Sequence, residues 1–228
     1  MTVDSDLGAS RRASLLRRMT RTGLYLVTDD RLDSEELLSR LDAALRAGAD
    51  VVQFRDKRDD RSAVASVGRR VAERCRAASA LFIVNDHASL ARDLDADGIH
   101  VGQDDASPAE VRAVVGPSQI IGLSVSHLPE ADAAAFNLDV DYIGFGALFH
   151  TPTKPDAEPA GPDMLAEARK RVHIPIVGIG GITAANLAAA VAAGADSVAV
   201  VSAVFSAADP AAATRDLLTA IARARAAV

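Results

Sequence analysis

The stretch "VVQFRDK" at 51–57 alternates apolar and polar side chains, with Gln53, Arg55 and Lys57 at every second position. In a strand those three share one face, opposite Val52 and Phe54. Two cations and an amide aimed the same way can neutralise and orient an anion. Comparable groups follow further along the chain: Asn85–Asp86, Gln103–Asp104–Asp105 and Ser124. Thr151, Thr153 and Lys154 sit in "FHTPTKPDAEPAGP", Gly180–Gly181 in "GIGGI", and Val201–Ser202 precede Ala203. Arg55, Lys57 and Lys154 beside Asp86 and Asp105 make sense if a hard divalent cation bridges the carboxylates to a polyanion. Mg²⁺ typically takes one or two carboxylates together with phosphate oxygens and waters.

Each group taken alone has an ordinary structural use. Arg55 and Lys57 can be rim ion-pair partners, Asn85–Asp86 can cap the next helix, and Asp104 or Asp105 can be solvated or capping acids. Gly144 and Gly146 can simply relieve crowding inside a barrel. Of the five histidines, His100 falls within a strand pattern and can face a cavity. No two histidines have metal-ligand spacing, which argues against a histidine metal site.

These groups need elements to bring them together. Strand patterns run over 24–29, 50–55, 80–86, 97–102, 119–124, 141–146, 174–180 and 197–202. Helical spacing lies between them, at 34–47, 62–78, 162–171, 184–193 and 210–226 among others. Asp33, Ser107–Pro108 and Thr183 mark helix starts, and "RAGAD" and "AAGAD" turn two helices into strands. Eight strand–helix units predict a single (β/α)₈ TIM barrel. An open doubly wound sheet is the runner-up, weakened by the lack of a G-x-G-x-x-G loop in the first unit. In such a barrel every group above lies at a strand's carboxyl end. The loops after strands seven and eight are then a second phosphate site, with backbone N–H donors. Two anion-binding ends point to a two-substrate transferase.

Bulk properties narrow the class. A net charge of −6 argues against nucleic-acid or anionic-membrane binding, so any anion must be held by a local basic cluster. One cysteine, Cys75, excludes an intramolecular disulfide framework and reads as a buried small residue. No apolar run approaches the roughly 18 residues that span a membrane. The basic "RRASLLRRMTR" lacks the apolar centre of a secretory signal. It reads as an arm over 1–20, frayed or folded as a short helix beneath a catalytic barrel at 21–228. A cytoplasmic enzyme or binding protein is expected, with room for a homo-oligomer.

"LYLVTD", "GADVVQFRDK", "FIVNDHASLA", "DADGIHVGQDD", "IIGLSVSH", "DYIGFGALFHTPTKPDA", "IPIVGIGGI" and "GADSVAVVSAVF" together resemble the thiamine phosphate synthase family over roughly residues 22–206. The resemblance implies a Mg²⁺-dependent transfer between two small phosphorylated heterocycles. The 4-amino-2-methyl-5-pyrimidinylmethyl group would pass from its diphosphate to 4-methyl-5-(2-phosphoethyl)thiazole, or its carboxylated form. It implies that Gln53, Arg55, Lys57, Asn85, Ser124 and Lys154 bind the pyrimidine diphosphate, with Arg55, Lys57, Lys154 and Ser124 catalytic. Asp86 and Asp105 would hold Mg²⁺, and Thr151, Thr153, Gly181, Val201 and Ser202 the thiazole phosphate. Asp56 replaces the family's usual Glu and His150 its usual Pro, neither at an expected ligand contact. The rivals are a thiazole tautomerase-like relative, which would lack the diphosphate and metal residues, and a non-catalytic thiazole phosphate sensor. A generic aldolase or isomerase barrel would need a lysine or base deeper inside.

Overall fold

The computed structural model describes residues 3–151 and 158–228. Eight parallel strands alternate with helices: β1 (Leu24–Val27), β2 (Val51–Phe54), β3 (Leu81–Asn85), β4 (Gly98–Val101), β5 (Ile120–Val125), β6 (Tyr142–Phe145), β7 (Ile176–Ile179) and β8 (Ser197–Val200). Each pairs with the next, and β8 returns to β1 through Leu24↔Val198, closing the barrel. The eight-unit alternation read from the sequence is therefore the fold. The open doubly wound alternative is excluded.

The helices are α1 (Val3–Thr22), α2 (Ser34–Arg46), α3 (Arg61–Ala77), α4 (Ala88–Asp93), α5 (Pro108–Val115), α6 (Leu128–Ala135), α7 (Gly161–Arg169), α8 (Leu187–Ala192), α9 (Ser202–Phe205) and α10 (Pro210–Ala226). Their starts follow local chemistry. Asp33 accepts from the backbone N–H groups of Glu35 and Glu36, which would otherwise lack partners. Ser107 and Glu110 form a reciprocal capping box with Pro108 at the first helical position. The helix expected from 184 begins only at Leu187. Asn186 takes the cap position instead of Thr183, and its Oδ1 accepts from the Thr183 N–H at 2.8 Å.

Period-2 alternation divides the apolar residues into two layers. Val52, Phe54, Val84, Ile99 and Val101 face outward and pack with Leu37, Leu41, Val64, Val71 and Ile221 of the surrounding helices. Tyr25, Val27, Val51, Leu81, Ile83, Ile120, Tyr142, Val177 and Ala199 fill the barrel interior. Leu15 and Met19 of α1 belong to that inner cluster, and Met19 is fully buried. Polar contacts fix this helix: Ser197 Oγ donates to the Met19 carbonyl at 3.1 Å, and Arg12 pairs with Asp141 at 3.0 Å. Arg225 donates to the carbonyls of Thr20 and Arg21, both at 2.8 Å. The amino-terminal end of the barrel is thus stoppered. That leaves the carboxyl-terminal end, where barrels of this kind place their sites, for a ligand.

Candidate active site

The alternation in "VVQFRDK" now has its cause. Val51 and Gln53 point into the barrel, and the chain leaves β2 at Arg55 on the rim. Gln53 is buried and donates through Nε2 to Tyr25 Oη at 2.8 Å. Arg55 Nη1 pairs with Asp30 Oδ2 at 2.8 Å, and the same oxygen accepts from the Lys57 N–H at 3.2 Å. Thr28 Oγ1 bridges the Arg55 backbone, accepting from its N–H at 2.8 Å and donating to its carbonyl at 2.9 Å. Lys57 Nζ crosses to the carboxylate of Asp86. Asp30 is a positioning residue that sequence reading passed over. Its only signal was a second acid after strand one, in "TDD".

Asp86 and Asp105 face each other. Asp86 follows β3 with φ at 60°, a left-handed conformation that is uncommon outside glycine and costly to hold. Its N–H donates to the His100 carbonyl at 2.9 Å, and Asn85 Nδ2 donates to its Oδ1 at 2.8 Å. Neither Asn85 nor Asp86 caps α4; the cap position is His87. Asp105 does not cap α5 either, and its Oδ2 accepts from the Gly102 N–H at 2.8 Å. Burial pushes the Asp86 carboxyl above the usual carboxylate range; Lys57 opposes this and Asp105 adds to it. Asp105 is held below that range despite burial, by the Gly102 N–H, a hydrogen bond with Asp86, and Lys57. Two carboxylates this close repel each other, and that repulsion adds to the burial that raises Asp86. A divalent cation would relieve the same repulsion.

Among the described residues, no group of three or more His, Cys, Asp or Glu could hold a metal alone. Two carboxylates with further oxygens supplied by phosphate and water is the donor set that suits Mg²⁺. The residues present therefore fit that ion.

Between β2 and β5 a buried chain of polar groups crosses the interior. Tyr25 Oη and Tyr142 Oη lie 3.0 Å apart, Tyr142 Oη is 3.2 Å from His100 Nδ1, and His100 Nε2 is 2.9 Å from Ser124 Oγ. Gln103 Nε2 steadies the other side of that residue, donating to the Ser124 carbonyl at 2.6 Å. Glycines leave room for the rings. A Cβ on Gly122 would sit 2.2 Å from Tyr142 Cζ and 2.4 Å from His100 Nδ1, and one on Gly144 2.9 Å from His100 Cε1. Gly146 makes a different close approach, to the Ile179 carbonyl. The tyrosines could not have been found from strand periodicity, which does not separate a buried aromatic from a polar link.

The second end lies on adjacent strands, since β7 pairs with β8 through Ile179↔Ala199. Gly180 and Gly181 have φ of 96° and 66°, and a Cβ on Gly181 would press against the His150 carbonyl at 2.3 Å. Only glycine lets that turn pass so close. Asn186 Nδ2 donates to the Gly181 carbonyl at 2.9 Å. Val201 and Ser202 lie at the start of α9, and Thr151 ends the described part of the loop after β6. Thr153 and Lys154 lie outside the described residues. Cys75 is buried on α3, its thiol pushed up to about 12 by burial.

The comparisons with known proteins agree along the chain. A thiamine-phosphate synthase of Roseiflexus castenholzii is 46% identical over 196 residues, covering 85% of this chain and 86% of that protein. A bifunctional thiamine biosynthesis protein of Geobacter sulfurreducens is 48% identical over 195 residues, covering 86% of this chain but 39% of that longer protein. Among solved structures, a thiamine phosphate pyrophosphorylase from Pyrococcus furiosus superposes with a TM-score of 0.82 at 34% identity, over 90% of this chain and 98% of that one. The sequence model of one family, thiamine monophosphate synthase, matches residues 24–204, so the chain belongs to the thiamine monophosphate synthase family.

Proposed function

We propose that this protein is a thiamine-phosphate synthase joining an aminopyrimidinylmethyl diphosphate to a thiazole phosphate, with release of diphosphate. The observation that carries the reading is the Asp86–Asp105 pair, with Lys57 on Asp86 and Arg55 on the same rim. An anion-binding rim that also crowds two carboxylates together suits a metal-bound diphosphate. Mg²⁺, when bound, would supply a dication that offsets both the carboxylates and the diphosphate.

The remaining work falls to the chain's own residues. The C–O bond breaks with its electron pair going to the departing diphosphate, and the electron-rich aminopyrimidine stabilises the benzylic-type cation left behind. Arg55, Lys57 and Lys154 stabilise the charge that develops on the leaving group more than the charge already present in the ground state. The thiazole nitrogen then attacks with its lone pair, and no activated nucleophile is needed. Gln53, Asn85 and Ser124 orient the pyrimidine, while the Gly180–Gly181 turn and the backbone at Val201–Ser202, with Thr151 and Thr153, hold the thiazole phosphate. The stoppered floor beneath them keeps water from entering from below.

The test is product formation. Purified protein with Mg²⁺ and both phosphorylated substrates should yield thiamine phosphate and diphosphate in equal amounts. A thiazole tautomerase-like relative or a sensor would bind the thiazole phosphate yet form neither product, and that outcome refutes the proposal. Among the described residues no helix is long and apolar enough to cross a membrane.

A further inference from the structure

We propose that Tyr25, Tyr142 and His100 form a one-way hydrogen-bond relay that sets Ser124 as a donor and Gln53 as an acceptor toward the substrate cavity. The direction follows from counting hydrogens. Gln53 Nε2 can only donate, so Tyr25 Oη accepts from it at 2.8 Å and must pass its own hydrogen to Tyr142 Oη at 3.0 Å. Tyr142 then donates to His100 Nδ1 at 3.2 Å, which leaves His100 Nε2 carrying the ring's hydrogen and donating to Ser124 Oγ at 2.9 Å. With its lone pair engaged from behind, the Ser124 hydroxyl has its hydrogen free to donate forward, and Gln53 keeps Oε1 as its accepting end.

Each link between Gln53 and Ser124 then has one donor and one acceptor. The reverse direction with the same Gln53 orientation would leave the Tyr25 hydroxyl hydrogen without one, at the cost of a buried unpaired donor. Burial raises the phenols of both tyrosines, so their hydroxyl hydrogens stay in place for the relay. The relay also joins the two walls of one site. Gln53 leaves from β2 and Ser124 from β5, so the barrel interior couples the donor on one wall to the acceptor on the other. Tyr142 and His100 are positioning residues here, acting through Ser124 and Gln53. The functional half of this inference rests on the proposed reaction; the direction of the relay does not.

The experiment therefore has two arms. In the wild-type protein, ¹⁵N spectra of His100 should show a neutral ring with Nε2 protonated and Nδ1 of the lone-pair type. In Tyr142→Phe, that preference should be lost, because nothing then donates to Nδ1. In steady-state assays, Tyr142→Phe should raise the KM for the pyrimidine diphosphate about five- to tenfold, as expected for one weakened hydrogen bond. The KM for the thiazole phosphate should stay within about twofold. If Tyr142→Phe does not fold, Tyr25→Phe serves in its place: it removes the acceptor of Gln53 Nε2 and should raise the same KM, while Tyr142 still donates to Nδ1 and the His100 tautomer is kept. An Nδ1-protonated His100 in the wild type overturns the direction. Equal changes in both KM values overturn the positioning role. Absence of any thiamine phosphate from the wild type would instead refute the proposed reaction, and the spectra would still decide the relay.

Discussion

Replacing Gly122 by alanine tests the barrel interior at its tightest point. The added Cβ would lie 2.2 Å from Tyr142 Cζ and 2.4 Å from His100 Nδ1. Ordinary carbon contacts need about 3.5–4.0 Å, so one ring or both must move by more than an ångström. Both rings are enclosed, Tyr142 completely, and a packed core resists such displacement. Overpacking of this kind costs about 1–3 kcal/mol. Separating Tyr142 Oη from His100 Nδ1 adds about 1 kcal/mol more, for a total of about 2–4 kcal/mol. With a urea slope of about 2–3 kcal/mol/M, the unfolding midpoint should fall by about 0.7–2 M. Far-UV circular dichroism against urea measures it. A midpoint within about 0.2 M of the wild type, with equal cooperativity, would mean that the rings do not occupy the space described.

Met19→Ala should cost about 2–5 kcal/mol, because Met19 is fully buried in the inner cluster, and the loss should appear in the same urea titration. A loss below about 1 kcal/mol would mean that α1 does not stopper the barrel. Acid stability should depend on Asp29, whose carboxyl the Arg31 hydrogen bonds hold below the ordinary range. A lowered folded-state pKa contributes stability above the unfolded value, about 3.9, and loses it as pH falls through the folded value. The stability gap between wild type and Asp29→Asn should therefore be full at pH 7 and close as pH falls below about 3.9 and through the folded-state value. A gap independent of pH would contradict the pairing.

The fold was legible because period-2 apolar runs and helical spacing alternate eight times with short turns, which leaves few topologies available. Helix ends were legible where a side chain caps them, as at Asp33 and Ser107, and misread at Thr183, where Asn186 closes the turn from three residues away. The site was half legible. Arg55, Lys57, Asp86 and Asp105 could be placed on one rim from their positions after strands, and the geometry brings Lys57, Asp86 and Asp105 into contact. Asp30 could not be assigned, because its role depends on the approach of β1 to β2, which local pattern does not encode. The same holds for Tyr25 and Tyr142. An aromatic residue in a strand reads as core filling, and only the closed barrel, with Gly122 opposite, turns the two hydroxyls into a link to His100.

The most direct measurement is the rate of thiamine phosphate formation as a function of free Mg²⁺ in the wild type, Asp86→Asn and Asp105→Asn. Activity should vanish on chelation and return with Mg²⁺. Each substitution should lower the rate by about 10²–10³, as for loss of one preorganised charge-stabilising group, and should raise the Mg²⁺ concentration needed for half-maximal rate. Turnover that is indifferent to chelator, or variants with an unchanged Mg²⁺ requirement, would contradict the role given to the paired carboxylates.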